Sequence, residues 1–305
     1  MKHRSFYSAL LLFSCILLFS CKSSHLARLP RSFPEFYKEG HRGARGLMPE
    51  NTIQAMIRGI EAGANVIEVD VYTTKDSKLV VTHDPYINRD FSLLPNGEVI
   101  PKGDEKRYII HQMTYAEVRK FDVGMKPYSA FPAQAKIPAY IPLLSDLIDS
   151  VETFTTTRGL PSVIYNIELK SSVSYDSVYN AKPAALVDAV MKVVNSKKIG
   201  DRFYIQSFDY RPLKYIHKEY PEVPIGFLTG SKTPFAKNLS ELGFKPNIYS
   251  PHYSLVTKEL VDSCRQMKIK IVPWTVNTKD EMKALKGLGV DGIITDFPNY
   301  LKEIK

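Results

Sequence analysis

Two histidines, three acidic residues and two cations stand at spacings that suit chemistry on a charged ester. His41 and Arg42 are adjacent in "HRGARGLMPENT", a glycine-rich turn in which Pro49 reads as the opening of a helix. Glu68 and Asp70 alternate with valines in "VIEVDVY", and Asn166, Glu168 and Lys170 alternate with apolar residues in "YNIELK". Side chains at i and i+2 share one face of a strand, so each set points the same way. His83 ends the apolar run of "KLVVTHD". Three carboxylates converging on neighbouring strands repel one another unless a proton or a cation stands between them. Oxygen-only ligands select a hard cation, Ca²⁺, Mg²⁺ or Mn²⁺, over zinc. A structural ion-pair net, Glu68 or Glu168 with Lys170, uses the same residue types and stays open on the sequence alone. Two imidazoles at one site can act as base and acid in a single turnover, because both titrate near neutral pH. Arg42 offers a planar fork for phosphate oxygens and Lys170 a point charge. Acid, base, metal and two cations suit phosphoryl transfer better than acyl or glycosyl chemistry.

The elements that must position these residues follow from the hydrophobic pattern. Short apolar runs alternate with helical patterns, the signature of parallel strands joined by crossover helices. The runs lie at 38–43, 66–72, 162–170, 202–208, 224–229, 247–252, 269–276 and 292–298. Eight strands close a (β/α)8 TIM barrel, an α/β fold whose active sites occupy the C-terminal ends of the strands. "KLVVTHD" follows "VDVYTT" after only "KDS", too short a link for a parallel crossover. Residues 70–83 are therefore expected to form a β-hairpin above the rim, with His83 on the returning arm. From Pro85 to about Pro142 the barrel rhythm is missing. A loop that long at a barrel face is usually functional, so this insertion is expected to cap the active-site mouth. Within it, Thr114 and Glu117 have capping-box spacing.

Residues 1–21 carry a basic start, Lys2 to Arg4, followed by an apolar run from Phe6 to Phe19. That run falls short of the roughly 20 residues that span a bilayer and suits a secretory signal peptide. "LFSC" ending at Cys21 resembles the bacterial lipoprotein box, whose cysteine is lipidated. An identical "LFSC" ends at Cys15, but apolar "ILLF" follows it, whereas polar "KSSH" follows Cys21. The expected organisation is a lipoprotein-type signal at 1–21, a tether at 22–36 and a catalytic barrel at 37–305. The protein is then exported to the periplasm or cell envelope and held at a membrane by the lipid on Cys21. Of the three cysteines only Cys264 is left for the folded part, so neither an internal disulfide nor a thiolate metal site is expected. Cys264 itself reads as a buried helix residue. The formal net charge of +9 is spread along the chain, which implies a diffuse solvated surface and no nucleic-acid partner. No obligate protein partner is implied either.

"HRGARGLMPENT", "IEVDVYTTKDSKLVVTHDP", "NIELKSS", "IQSFD", "PWTVNT" and "GVDGIITDFP" occur in an order and spacing that resemble those of glycerophosphodiester phosphodiesterases. The resemblance runs over about residues 38–300. It implies a metal-dependent hydrolase that releases glycerol 3-phosphate and an alcohol from glycerophosphodiesters, with one Ca²⁺ or Mg²⁺ ion. It further implies that His41 is the general base and His83 the general acid. Glu68, Asp70 and Glu168 would be the metal ligands, with Arg42 and Lys170 on the phosphate. Gln206 would serve as a hydrogen-bonding neighbour or as barrel filling, and Trp274 would pack on the glycerol moiety. Glu50 is expected in a first helical turn, where it complements the helix dipole. Asp84 would support the His83 loop, and Asp291 and Asp296 would be turn and rim residues. Arg45, where the family pattern has a small or polar residue, would contact an anion or face solvent. Two alternatives are a phospholipase-type or cyclising phosphodiesterase acting on lipid head groups, and a non-catalytic binder of glycerol-phosphate polymer.

Overall fold

Runs of β-branched residues become strands wherever both faces of the run find cover. The computed structural model describes residues 29–304; the expected signal segment and Cys21 lie outside the described residues. In chain order the strands are β1 (Tyr37–Gly40), β2 (Val66–Thr73), β3 (Leu79–Val81), β4 (Ile164–Leu169) and β5 (Phe203–Ser207). They continue with β6 (Ile225–Thr229), β7 (Ile248–Pro251), β8 (Lys270–Ile271) and β9 (Gly292–Thr295). Neighbours run β8-β7-β6-β5-β4-β2-β1-β9, all parallel, while β3 pairs antiparallel with β2 alone. Backbone hydrogen bonds from Asp291 to Ile271, Ile294 to Pro273 and Val276 to Ile294 bring β9 against β8 and close the ring. The eight expected strands and the hairpin carrying His83 are all present, and the fold is a TIM barrel.

Helices cover the outside: α1 (Ile53–Glu61), then α2 (Tyr115–Val118) within the insertion, then α3 (Leu144–Thr157) and α4 (Pro183–Ser196). After them come α5 (Tyr210–Glu219), α6 (Phe235–Leu242), α7 (Lys258–Gln266) and α8 (Lys279–Leu288). A short 3₁₀ turn at Pro298–Lys302 follows β9 in place of an eighth barrel helix. The first helix begins later than Pro49 suggests. Thr52 is its N-cap, accepting the Ala55 N–H at 3.1 Å, while its hydroxyl donates to the Pro49 carbonyl. Thr114 and Glu117 form the expected capping box. Among the described residues no helix is long and apolar enough to cross a membrane.

Strand alternation sorts side chains into two cores. Val69, Val71, Ile167, Leu169 and Ile205 turn outward beneath the helices, where each contributes on the order of 1.5–3 kcal/mol by leaving water. Cys264, on α7, is buried in this layer, and burial pushes its thiol up to about 12. Inside the barrel, Tyr37, Val66, Ile164, Tyr204, Ile248 and Val272 form an apolar floor at the N-terminal ends of the strands. Leu29 and Phe33 pack against that floor, the Phe33 ring 6.2 Å from Tyr37 and 6.1 Å from Tyr204. Residues 29–36 thus lie against the barrel base. Their apolar side chains gain more from sealing the barrel base than from staying in water.

Just above the floor the inward positions turn polar. Glu39 is fully buried and accepts hydrogen bonds from Tyr204 Oη at 2.8 Å and from the Asn166 amide, both neutral donors. Burial pushes its carboxyl up to about 7 against those two bonds. The folded state thus holds a proton on Glu39 that the unfolded chain releases at a lower pH, so this group's contribution to stability falls as pH rises toward 7. Glu39→Gln keeps the shape and removes the charge. It should stabilise the protein by about 2–3 kcal/mol at pH 8 and by much less at pH 5, read from chemical denaturation at both values. Equal effects at the two values would contradict this.

Residues 85–142 build a core of their own. Ile87, Ile100, Ile110, Val118, Phe121 and Val123 pack together on Tyr72 and Val80 of the hairpin. The insertion therefore sits beside the rim as a satellite of β2 and β3.

Candidate active site

The first site residues depend on a tight reversal after β1. At Gly43, φ is +85°, and a Cβ there would lie 2.5 Å from the backbone of Ala55, so only glycine lets the loop press against α1. Arg42 and Asn51 also take left-handed backbone angles, φ 49° and 57°, uncommon for residues with a Cβ and characteristic of functional loops. The reversal aims the Arg42 backbone N–H at Glu68 Oε2, 2.7 Å away, and brings Glu50 back under Arg42. Glu50 lies ahead of the helix and does not serve its dipole. Its two oxygens accept from Arg42 Nη1 and Arg45 Nε, each at 2.6 Å, and it is buried.

Register places the acids together. Glu68 stands opposite Asn166, and Asp70 opposite Glu168, across the β2–β4 ladder. Glu68, Asp70 and Glu168 each offer an oxygen, and these atoms lie within 4.8 Å of one another. Lys170 Nζ is 2.7 Å from Glu168 and 3.4 Å from Asp70, and Arg42 Nε is 3.5 Å from Asp70. An ion-pair net therefore exists, but it omits Glu68. Burial and the charges of Asp70 and Glu168 push the Glu68 carboxyl well above its ordinary range, with only the Arg42 N–H bond and charge opposing them. Asp70 moves the other way: burial would raise it, but Lys170, His83, Arg42 and the Asn51 hydrogen bond outweigh that and hold it ionised. Lys170 stays charged for the reciprocal reason, Glu168 and Asp70 overcoming its burial. Glu68 Oε1 and Asp70 Oδ1 are buried and accept no hydrogen bond. Buried carboxylate oxygens without a hydrogen-bond donor call for an ion or an ordered water, and a hard divalent cation fits the donor set.

Asn51 clasps Asp70 from the loop, its amide nitrogen 2.8 Å from Oδ2 and its oxygen accepting the Asp70 N–H at 3.3 Å.

Each histidine is steered by a carboxylate. His41 Nδ1 lies 2.7 Å from Asp296 Oδ1, and Asn277 donates to the other Asp296 oxygen at 2.7 Å. Asp296 is thus more than a turn residue; Asp291 sits at the barrel's far end, paired with Lys270. His83 Nδ1 lies 3.0 Å from Asp84 Oδ1, and Asp84 also accepts from Asn88, so the expected support is there. A ring whose Nδ1 donates to a carboxylate presents Nε2 to its surroundings. Burial, with Arg42 adding to it, holds His41 below the usual imidazole range against the pull of Asp296, so it is neutral at pH 7.

Both histidines open onto one cavity of about 280 Å³. Its lining is polar at His41, Arg42, Arg45, His83, Glu168, Lys170, Gln206 and Thr275, and apolar or aromatic at Phe208, Leu228, Trp274 and Ile294. Trp274 is fixed by donating from Nε1 to the Ser250 carbonyl at 2.9 Å, with the Phe208 ring edge-on at 5.3 Å. Gln206 Oε1 is buried without a partner. Residues 85–142 reach the cavity's rim through the His41 loop: the Arg45 Cζ lies 4.8 Å from the Phe131 ring centre, and Gln134 donates to the Arg45 carbonyl.

The arrangement offers acid–base groups, an acidic cluster and fixed cations around a space of small-molecule size, which is the equipment of phosphoester chemistry. Known proteins agree. The model of the glycerophosphoryl diester phosphodiesterase family matches residues 41–300. The glycerophosphodiester phosphodiesterase of Caldanaerobacter subterraneus subsp. tengcongensis is 32% identical over 265 residues, 86% of this chain and 94% of that one. A crystal structure from Silicibacter pomeroyi DSS-3 superposes with a TM-score of 0.79 at 28% identity, covering 89% of this chain and 94% of the other. A phosphodiesterase of Oleispira antarctica, solved with the product sn-glycerol-3-phosphate, shares the fold with a TM-score of 0.70 at 20% identity, over 89% and 96% of the two chains. With the family's model spanning nearly the whole barrel and a relative this similar along most of its length, the chain belongs to the glycerophosphoryl diester phosphodiesterase family.

Proposed function

We propose that this chain hydrolyses glycerophosphodiesters to glycerol 3-phosphate and an alcohol, with His41 as general base and His83 as general acid. One observation carries the reading: two carboxylate-oriented imidazoles line the same cavity as the rim of a three-carboxylate cluster. Glu68, Asp70 and Glu168 would hold the metal, and Ca²⁺ or Mg²⁺ suits their oxygens. When bound, that ion supplies Lewis-acid stabilisation of charge building on the phosphoryl oxygens. Arg42 and Lys170 hold those oxygens from the same side, at positions fixed by Glu50, Asp70 and Glu168. His41, neutral at working pH, takes the proton of the attacking hydroxyl through Nε2 while Asp296 stabilises the resulting imidazolium. His83 delivers a proton to the departing alkoxide from Nε2. The glycerol moiety lies against Trp274 and Phe208, and Gln206 offers its free carbonyl oxygen to a substrate hydroxyl. The nucleophile is either the substrate's own hydroxyl, which expels the alcohol and leaves a cyclic phosphate that water then opens to glycerol 3-phosphate, or water directly.

Purified residues 22–305, supplied with Ca²⁺ or Mg²⁺, should release glycerol 3-phosphate from a panel of glycerophosphodiesters and leave intact diacyl phospholipids untouched. Failure to cleave every member of the panel would reject the assignment. We propose further that Cys21 carries a lipid that holds the exported enzyme at a membrane. Cys21→Ser should move the full chain from the membrane fraction to the soluble one, and unchanged partitioning would contradict this.

A further inference from the structure

We propose that Arg45 seats a second negative charge at the cavity wall, so that the enzyme prefers diesters whose alcohol is itself anionic. This rests on the hydrolase reading above and names its substrate class. Arg42 and Arg45 grip opposite oxygens of one carboxylate, Glu50, each at 2.6 Å. Both guanidiniums share that one anion, in side chains that water screens weakly. Arg42 is the more enclosed of the two, with 8% of its side chain exposed against 19% for Arg45, and it also leans on Asp70 in the acidic cluster. It is committed to the reacting phosphate. Arg45 stands farther out, on the same wall.

The Arg45 guanidinium is immobilised before any ligand arrives. Nη2 donates to Tyr128 Oη at 3.1 Å, and the Phe131 ring packs beneath it. Both aromatics come from the insertion, which gives that segment a role in the site. A cation already held in place loses little rotamer freedom on binding an anion. Nη1 has no protein acceptor among the described residues, so its donors remain for a ligand. A cationic head group finds the opposite environment. The only carboxylate in the lining is Glu168, which faces Lys170 and belongs to the metal cluster. Arg45 therefore works by attracting one class of diester and disfavouring the other.

The test compares glycerophosphoinositol with glycerophosphoinositol phosphate, which differ by one phosphate on the alcohol. The wild-type enzyme should show kcat/KM about tenfold or more in favour of the phosphorylated diester, the scale of a hydrogen-bonded charge contact. Arg45→Gln should bring the ratio close to one, and Arg45→Lys should keep part of it. Arg45 also holds Glu50, so both variants lower the two rates together, and the ratio cancels that shared loss. A wild-type ratio at or below one, or a ratio unchanged in Arg45→Gln, overturns the proposal. Should neither diester be cleaved, the hydrolase reading fails. Binding titrations of the same pair against wild type and Arg45→Gln then decide the charge preference on their own.

Discussion

His41→Ala should lower kcat/KM on a glycerophosphodiester by roughly 10²–10⁴-fold while leaving the fold intact. The imidazole is a rim residue beyond the end of β1, and the floor and outer core do not use it. His83→Ala should fall in the same range for cationless leaving groups, and less for an alcohol acidic enough to leave unprotonated. That difference separates the acid from the base: a p-nitrophenyl ester of glycerol phosphate should rescue His83→Ala but not His41→Ala. The orienting carboxylate gives a second handle. Asp296 pulls the His41 pKa upward against burial, so Asp296→Asn should move the acid limb of the kcat/KM profile to lower pH. Activity should drop as well, because the amide can hold the ring in the wrong tautomer. Near-normal turnover in either histidine variant would remove the acid–base assignment.

Chelation should be the other large effect. A Lewis acid on a phosphoryl oxygen is worth several kcal/mol, so metal-free enzyme should lose roughly 10³-fold or more, and Ca²⁺ or Mg²⁺ should restore it. Glu68→Gln tests the cluster with opposite signs. Glu68 is the acid of this cluster that makes no side-chain ion pair, and burial, Asp70 and Glu168 raise it. Removing its charge should raise the melting temperature of the metal-free protein and abolish the further rise that the ion gives wild type. Activity should fall with it. Full activity in excess chelator, with the ion shown to be gone, would contradict a metal role; a metal-free protein destabilised by Glu68→Gln would contradict the like-charge account.

Much of this was readable from residue order because alternation carries it. Val69 and Val71 alternating with Glu68 and Asp70, and apolar residues around Asn166, Glu168 and Lys170, have one good solution, with the acids facing into a barrel. The short "KDS" link forced the hairpin and so placed His83. What escaped depends on contacts that no local pattern encodes. Glu50 lies three residues before α1 and looks like a helix-dipole acid, yet the left-handed turn at Arg42 folds it back under two arginines. Asp296 reaches His41 only because β9 closes on β1, 255 residues away in sequence. Asn51 owes its grip on Asp70 to the same loop reversal. Leu228 and Ile294 are apolar residues within strands, indistinguishable in sequence from core, and Phe208 lies just beyond the end of β5. The insertion's anchoring was not legible either: its own apolar cluster packs on Tyr72 and Val80, while Phe131 and Gln134 reach the Arg45 loop.

A crystal structure with a phosphonate analogue of a glycerophosphodiester and Ca²⁺ tests the central arrangement most directly. One ion should touch Glu68, Asp70 and Glu168, with His41 Nε2 and His83 Nε2 reaching opposite sides of the same phosphorus. An ion bound elsewhere, or either ring turned away from the ligand, would contradict it.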